Sequence, residues 1–339
     1  MEFQIITRPA EKATSLLSTL PTRLCIQLKK KDAIKLFFPA KKSACVVISF
    51  YFLLTISFPL YAQSSTPLPS ETIKKSIPYS PLVKWTAVGI IPTVILSYGF
   101  LAWWRHGFTK KFYFDDKEGF FGASSYSGGS DKIGHLFSTY YFSKILNEFL
   151  LSSGESKENS LLYSTLTVGI PFTFIEVLDG FMPSYGAGLW DMVFNAGGLA
   201  FNYAEQKSPL FNRMFNLSLS YWPSDQFKKE FNDHLNFSED YSGMTYHLDF
   251  NVMQLFDFGK FNLLGHLPNI SASFHTKGFR PKEVYPMLEY SLGLGIDVSS
   301  LMDRYPFWKE VFSSIKIIPM LTLYNKKYYY TTINGVRRL

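Results

Sequence analysis

The chain has 339 residues, 47% of them hydrophobic and 18% aromatic, enough for two ordinary domains with sizeable cores. Its formal net charge of +7 is concentrated at one end: residues 1–42 hold nine Lys/Arg against three Asp/Glu, which leaves 25 against 24 for the rest. A basic end directly before an apolar run serves targeting and membrane insertion and leaves no phosphate-binding face on the folded part, so nucleic acid is excluded as a partner.

The apolar run from Ser43 to Leu60 follows Lys41-Lys42 and ends in Tyr61-Ala62-Gln63. That order of charged, apolar and small residues is a secretory signal with cleavage at Ala62, or, uncleaved, a signal anchor. About 40 residues ahead of the run are too many for such a signal, so the functional start is expected downstream of Met1. The two cysteines, Cys25 and Cys45, both precede Ala62. A cleaved product therefore has no disulfide, and Cys45, at the start of the apolar run, is misplaced for lipid attachment. Residues 1–62 are thus read as leader and signal or anchor.

Residues 63–83, with Pro67, Pro69, Pro78 and Pro81 among Ser, Thr and Lys, read as a linker. From Trp85 to Trp104 the chain is apolar almost throughout, ending in Trp103-Trp104 and Arg105. This suits one membrane span with an interfacial aromatic belt, kinked at Pro92; a buried core helix is the alternative. A polar loop through Asp115, Asp116 and residues 124–130 follows. Three helices are then expected: Asp131 to Leu151 with Ser130 as N-cap, Ser160 to Leu178 interrupted at Pro171, and Gly188 to Glu205.

Beyond Pro209 the period changes from helical to alternating. Phe215, Leu217, Leu219 and Tyr221 alternate with polar residues, as do Tyr246, Leu248, Phe250 and Val252, then Ile270, Ala272 and Phe274, then Tyr290, Leu292, Leu294, Ile296 and Val298. With 315–324 and a last strand near Tyr328 to Thr332, about six strands are expected in an antiparallel sheet with one apolar face buried. A lipid-facing barrel shows the same alternation but needs eight strands, so a soluble or surface-lying sheet is favoured. The fold class is α+β: a membrane-associated helical unit at 84–208 followed by a β-rich region at 209–339.

Three helices joined by short turns run up, down and up, so the start of the first, the end of the second and the start of the third meet at one end. The ionisable residues sit there. Asp131, Lys132 and His135 open the first helix, Glu176 and Asp179 close the second, and Asp191 and Asn195 open the third; the spacings put each set on one helix face. Carboxylates in such apolar surroundings persist when they pair, bind metal or change their protonation, which are also the conditions of functional sites. Asp131, His135, Glu176, Asp179 and Asp191 are candidate ligands of a divalent metal, and His135, Glu176, Asp179 and Asp191 candidate catalytic groups with His135 as general base. The structural alternatives are helix-dipole pairing for Asp131 and Asp191, and a fixing ion pair of Lys132 with Glu176 or Asp179. Gly197 and Gly198 permit close helix contact. No dinucleotide fingerprint, P-loop, G-x-S-x-G, H-E-x-x-H or paired-cysteine zinc pattern is present, and no cofactor is identified.

DKIGH at Asp131 to His135, EVLDGF at Glu176 to Phe181 and YGAGLWDMVFNAGG at Tyr185 to Gly198 resemble the YfiM-like family, a domain of unknown function described as a predicted periplasmic lipoprotein. The likeness runs over about residues 110–255, with SYWPSD at 220–225 and DYSGMTYHL at 240–248 resembling the following region of longer members. It implies that the recurring polar positions fall on Asp131, Lys132, His135, Glu176, Asp179, Asp191 and Asn195. The chain departs from the family in lacking a placed lipidation cysteine and in having Leu189 before the Trp190-Asp191 pair. A more distant similarity to VanZ-like membrane proteins lies in the same acid-plus-His and D-x-x-x-N-x-x-G order, and motif likeness alone transfers no function.

Two functions remain open on this reading. One is a non-catalytic, membrane-associated envelope component of a Gram-negative-type bacterium, on the periplasmic side, binding lipid, cell-wall or outer-membrane material through the polar cluster. The other is a membrane-associated, metal-dependent hydrolase of a lipid or glycan using His135 and its neighbouring carboxylates.

Overall fold

The computed structural model describes residues 81–115, 119–121, 125–182, 184–230, 236–251, 269–279, 286–295, 299–302, 304–329, 331–333 and 336–338. All fall within one compact unit, Ile73–Leu339. The leader, Ala62, both cysteines and most of the linker lie outside the described residues, as do Asp116, Val252, Ile296 and Val298.

Helix α1, Pro81–Ala102, runs through Pro92 without a break. It is long and apolar enough to cross a membrane, and only 17% of its most apolar stretch is buried. Where the sequence suggested one such helix there are two, since Lys157–Asp179 also qualifies, with 39% buried. The two pack together through Ile95, with Trp104 just beyond α1, against Val168, Phe172 and Ile175.

Helix α2, Ser130–Ser152, is the central element. Ser130 is its first helical residue, not its cap: the cap is Gly129 in the left-handed region at φ 91°. A Cβ at Gly129 would come within 2.4 Å of the Phe121 ring, so both the backbone and the packing require glycine. Helix α3, Lys157–Asp179, starts at a Ser156 cap whose hydroxyl accepts from the Asn159 N–H at 3.2 Å, and Pro171 does not interrupt it. Helix α4, Leu189–Lys207, follows Gly188. Its closest approach to α2 is at Gly198, where a Cβ would lie 2.1 Å from the Leu136 carbonyl oxygen and 2.2 Å from Thr139 Oγ1. Thr139 Oγ1 also donates to the Asn195 carbonyl at 2.9 Å, which locks the two helices in register.

A short helix α5, Pro209–Met214, leads into strand β1, Phe215–Tyr221. Helix α6, Asp225–Glu230, precedes β2, Met244–Phe250, then β3, Asn269–Lys277, and β4, Met287–Gly295. Helix α7, Pro306–Ser313, precedes β5, Leu321–Tyr329, and a small pair of β6, Thr331–Ile333, with β7, Val336–Arg338. Strands β1 to β5 form one antiparallel sheet in chain order. The expected strand at 315–324 therefore starts later, at Leu321, and the one near Tyr328 to Thr332 divides between the end of β5 and β6.

The sheet's faces are distributed differently from the alternation rule. Residues opposite one another across an antiparallel ladder share a face. One face carries a row Leu217, Leu248, Ala272, Leu292 and Tyr324, and a row Phe215, Phe250, Ile270, Leu294 and Leu321. Its other two rows contain Tyr246, Phe274, Met244 and Leu288, and these four pack under Phe137 and Tyr140 of α2 in the larger core. Helix α2 thus covers only part of the apolar face, and Leu248, Ile270 and Leu292 stay about 40% exposed. The opposite, polar face is buried at Ser218, His247, Asp249, Ser271 and Ser273. The expected burial of the apolar face is thus met only beneath α2.

Chain length requires the sheet to curl. Residues Ser314 to Lys316 pair with Leu219 on the free edge of β1, and β5 begins only five residues after Lys316, paired with the far side of β4. Five residues reach about 17 Å, whereas a flat sheet from that edge to β5 would need about 24 Å. The sheet is therefore curled, and its buried Ser218, His247, Asp249, Ser271 and Ser273 make the polar side the inner one. Lys316 Nζ lies inside the roll, bonded to Asp249 on β2 and Ser271 on β3, while Ser218 on β1 donates to the other Asp249 oxygen.

The Gly197-Gly198 pair offers a test of the helix contact. Gly198→Ala should cost about 1–3 kcal/mol of stability through overpacking. Gly197→Ala meets only Leu136 Cδ1, at an ordinary 3.5 Å, and should be neutral or stabilising by up to about 1 kcal/mol. Thermal unfolding of both variants checks it; equal effects would remove the close approach from the account.

Candidate functional site

The register of α2 against α4, with α3 alongside, brings three helix ends to one point. His135, in the second turn of α2, stands between two sets of acceptors. Its Nδ1 lies 3.1 Å from Asn195 Oδ1 and 3.4 Å from Glu176 Oε1. Its Nε2 lies 3.8 Å from both Asp131 Oδ1 and Asp191 Oδ1. Asn195 holds its amide in place by donating from Nδ2 to Glu176 Oε1 at 3.5 Å. Lys132 Nζ sits 2.6 Å from Asp191 Oδ1 and 3.6 Å from Asp131 Oδ2. Tyr241, just ahead of β2, donates its hydroxyl to Asp131 Oδ1 at 2.9 Å.

Lys132 and Glu176 are 1% exposed, and only the edge formed by Asp131 and His135, at 17% and 18%, meets solvent. Burial alone would push the His135 imidazole toward its neutral form. Asp191, Glu176 and Asp131 outweigh burial and the nearby Lys132 charge, and raise its pKa from 6.5 to about 9. Burial also raises the Asp191 carboxyl, against the pull of His135 and Lys132. The acidic neighbours thus favour the protonated ring, which opposes a role as general base. Asp191 and Asp131 both lie in first helical turns, so the helix-dipole reading holds for them together with the ion pairs.

Donor atoms of Asp131, His135 and Asp191 lie within 4.8 Å of one another, close enough for one divalent ion. An ion there would have to share Asp191 Oδ1 with the Lys132 ammonium and Asp131 Oδ1 with the Tyr241 hydroxyl. An internal cation already supplies the counter-charge.

Asp131, Lys132, His135, Glu176, Asp191 and Asn195 are thus gathered as the sequence suggested. Lys132 pairs with Asp191 and Asp131 and not, as expected, with Glu176 or Asp179. Asp179 stands apart from the His135 ring and accepts from the Trp104 indole at 2.6 Å, tying α3 to the segment just after α1. Gly198 serves the helix contact, and Gly188 is required by the site: any Cβ there would overlap the Asp191 carboxylate. Sequence reasoning missed Tyr241, whose only signal was its place in the DYSGMTYHL stretch. It also missed a second buried network in which Lys144 meets Glu205 at 3.3 Å, Glu310 at 3.1 Å and the Tyr140 hydroxyl at 2.8 Å. Burial lowers the Lys144 pKa, but those acidic partners more than offset it and keep the ammonium charged. This network ties α2 to α4 and to α7.

The helical part of this arrangement has relatives. Residues 117–207 match the family described as "Predicted periplasmic lipoprotein (DUF2279)". The YfiM-like resemblance is borne out over that segment, which carries every candidate site residue, while the stretches at 220–225 and 240–248 lie beyond the match. The family's description agrees with a cell-envelope location on the periplasmic side and gives no function. The lipid attachment in its name has no counterpart among the described residues, which contain no cysteine. No curated protein and no solved structure matches the chain.

The protonated His135 makes the site sensitive to pH. Because its folded pKa is raised, its contribution to stability is complete below about pH 6.5 and is lost as pH rises through about 9. The melting temperature of the wild type should exceed that of His135→Gln most at the acidic end of this window, and the gap should close toward the alkaline end. A gap that stays constant or widens with pH would show that the ring is neutral.

Proposed function

We propose that the protein is a non-catalytic, membrane-associated component of the cell envelope that binds lipid or cell-wall material at the edge of the polar cluster. The observation that carries this reading is the compensation of the cluster's charges from within. Its histidine is held toward the protonated form by its acidic neighbours, and its buried carboxylates face Lys132 and His135. The hydroxyls that reach it, those of Thr139 and Tyr241, donate to Asn195 and Asp131. Hydrolysis would need a neutral base, a free nucleophile or an activated water, and these residues are committed to one another instead.

What the cluster offers a ligand is the solvent-facing edge of Asp131 and His135, an acceptor beside a charged donor. A hydroxyl- or ammonium-bearing group fits such an edge, as found on amino sugars and on ethanolamine head groups. Helices α1 and α3, with their long apolar exteriors, are suited to keep that edge near a bilayer.

Calorimetric binding distinguishes the two sources. Vesicles of phosphatidylethanolamine with phosphatidylglycerol are titrated in one arm and soluble peptidoglycan fragments in the other, against wild type and Asp131→Asn. One arm should bind and lose about tenfold or more in affinity in the variant, in keeping with a charge-assisted hydrogen bond, without a matching fall in melting temperature. Turnover of either material that disappears in Asp191→Asn would replace this reading with the hydrolase.

A further inference from the structure

We infer that the convex apolar face of the rolled sheet lies against the hydrocarbon of a lipid bilayer, dipping into it without spanning it. The inference goes beyond the polar cluster and uses none of its residues. It starts from the inverted partition of the sheet. A sheet that meets water on one side puts its apolar residues inward. Here the ion pair of Lys316 with Asp249, together with Ser218, Ser271 and Ser273, fills the inside of the roll, and the apolar rows face outward. Small residues make room for those groups: a Cβ at Gly295 would come within 2.5 Å of Asn269 Oδ1 and 2.7 Å of Lys316 Nζ. Polar groups paired inside and apolar groups outside is the arrangement an apolar solvent demands.

The outward surface is continuous. Leu217, Leu248, Ala272, Leu292 and Tyr324 form one row and Phe215, Phe250, Ile270, Leu294 and Leu321 the next, with no charged residue in either; at β1 they run under the helices, where Leu217 packs against the α2 core and Phe215 against Phe211 of α5, and from β2 to β5 they face outward. Leu321 and Tyr324 are more than 60% exposed, and Leu248, Ile270 and Leu292 about 40%. The next row ends in Lys326 and the last in Tyr328, side chains suited to the head-group level. Two adjacent rows on one face are about 7 Å apart along the strands, which matches the about 5–10 Å to which an interfacial element sinks. A second protein would need a bounded patch with a polar rim on the same face and would leave the buried ion pair without a reason. A β1 edge paired only near Leu219 among the described residues leaves the sheet too open to span, since a spanning sheet must close on itself.

Site-directed depth measurement on the full chain tests this. Cys25 and Cys45 are replaced by Ser, and single cysteines are introduced as Leu292→Cys, Ile270→Cys, Ile90→Cys on α1 and Asp225→Cys on the fully exposed face of α6. Each carries an environment-sensitive fluorophore in vesicles of phosphatidylethanolamine and phosphatidylglycerol doped with acyl-chain nitroxides. The labels at Leu292 and Ile270 should lose most of their emission and that at Asp225 should keep it. Quenching at Ile90 alone would overturn the sheet inference and leave the membrane reading of the helices standing. Quenching at neither Ile90 nor the sheet positions would overturn both. Sheet labels shielded equally in detergent and in lipid, with a dimer by sedimentation, would assign the face to a second copy and sink the inference. Melting temperatures of the labelled variants within a few degrees of wild type confirm that the sheet is intact in each.

Discussion

Helices α2 and α4 touch backbone to backbone at Gly198, and that contact sets the geometry of everything around the polar cluster. A side chain there would drive the helices apart by the width of a methyl group at least. The Thr139 bond to the Asn195 carbonyl fixes their axial register, and from it Asn195 meets His135 and Asp191 meets Lys132. Glu176 on α3 closes the ring from the third side. None of these buried charges is tolerable alone, because a lone ion in such surroundings costs several kcal/mol. The chain places cation and carboxylate in neighbouring helix turns so that closing the bundle neutralises both.

The same solution recurs twice more. Lys144 with Glu205 and Glu310 joins the helical unit to α7, and Lys316 with Asp249 fills the rolled sheet. Three buried lysines, each facing carboxylates from other elements, give the molecule polar interiors at several points while its outer surfaces carry Leu, Ile, Phe and Trp. Such buried pairs add little net stability compared with apolar packing, yet they strongly penalise wrong registers. In a protein with two long apolar helices and an apolar-faced sheet, ordinary hydrophobic packing specifies partners poorly, and charge pairing provides the missing specificity.

Much of this was legible in residue order. The three helices were marked by their period and by Ser153-Gly154 and Gly188, and the up-down-up argument brought Asp131, His135, Glu176, Asp191 and Asn195 together because short turns leave no other arrangement. The strands were visible from strict alternation. What alternation could not reveal was which face is buried, since its period is the same whether water or apolar material lies outside; the short link from Lys316 to Leu321 forces the sheet to curl, and the Lys316–Asp249 pair marks the polar side as the inner one. The partner of Lys132 was misassigned because several carboxylates on neighbouring helices are equivalent by spacing, and only the helix register chooses among them. Tyr241 was out of reach because it comes from beyond the helical unit, and Pro171 failed to interrupt α3 because tertiary packing of Phe172 and Ile175 outweighs the local cost of proline.

Lys132 and the His135 ring together supply the positive charge that offsets the cluster's carboxylates. The most direct test is nitrogen-15 NMR of the His135 ring at neutral pH in detergent-solubilised protein, assigned through His135→Gln and recorded before and after treatment with a chelator. Two protonated ring nitrogens, unchanged by the chelator, are the expected result. A neutral ring, or a ring nitrogen whose shift moves when metal is removed, would contradict the account and return Asp131, His135 and Asp191 to the role of metal ligands.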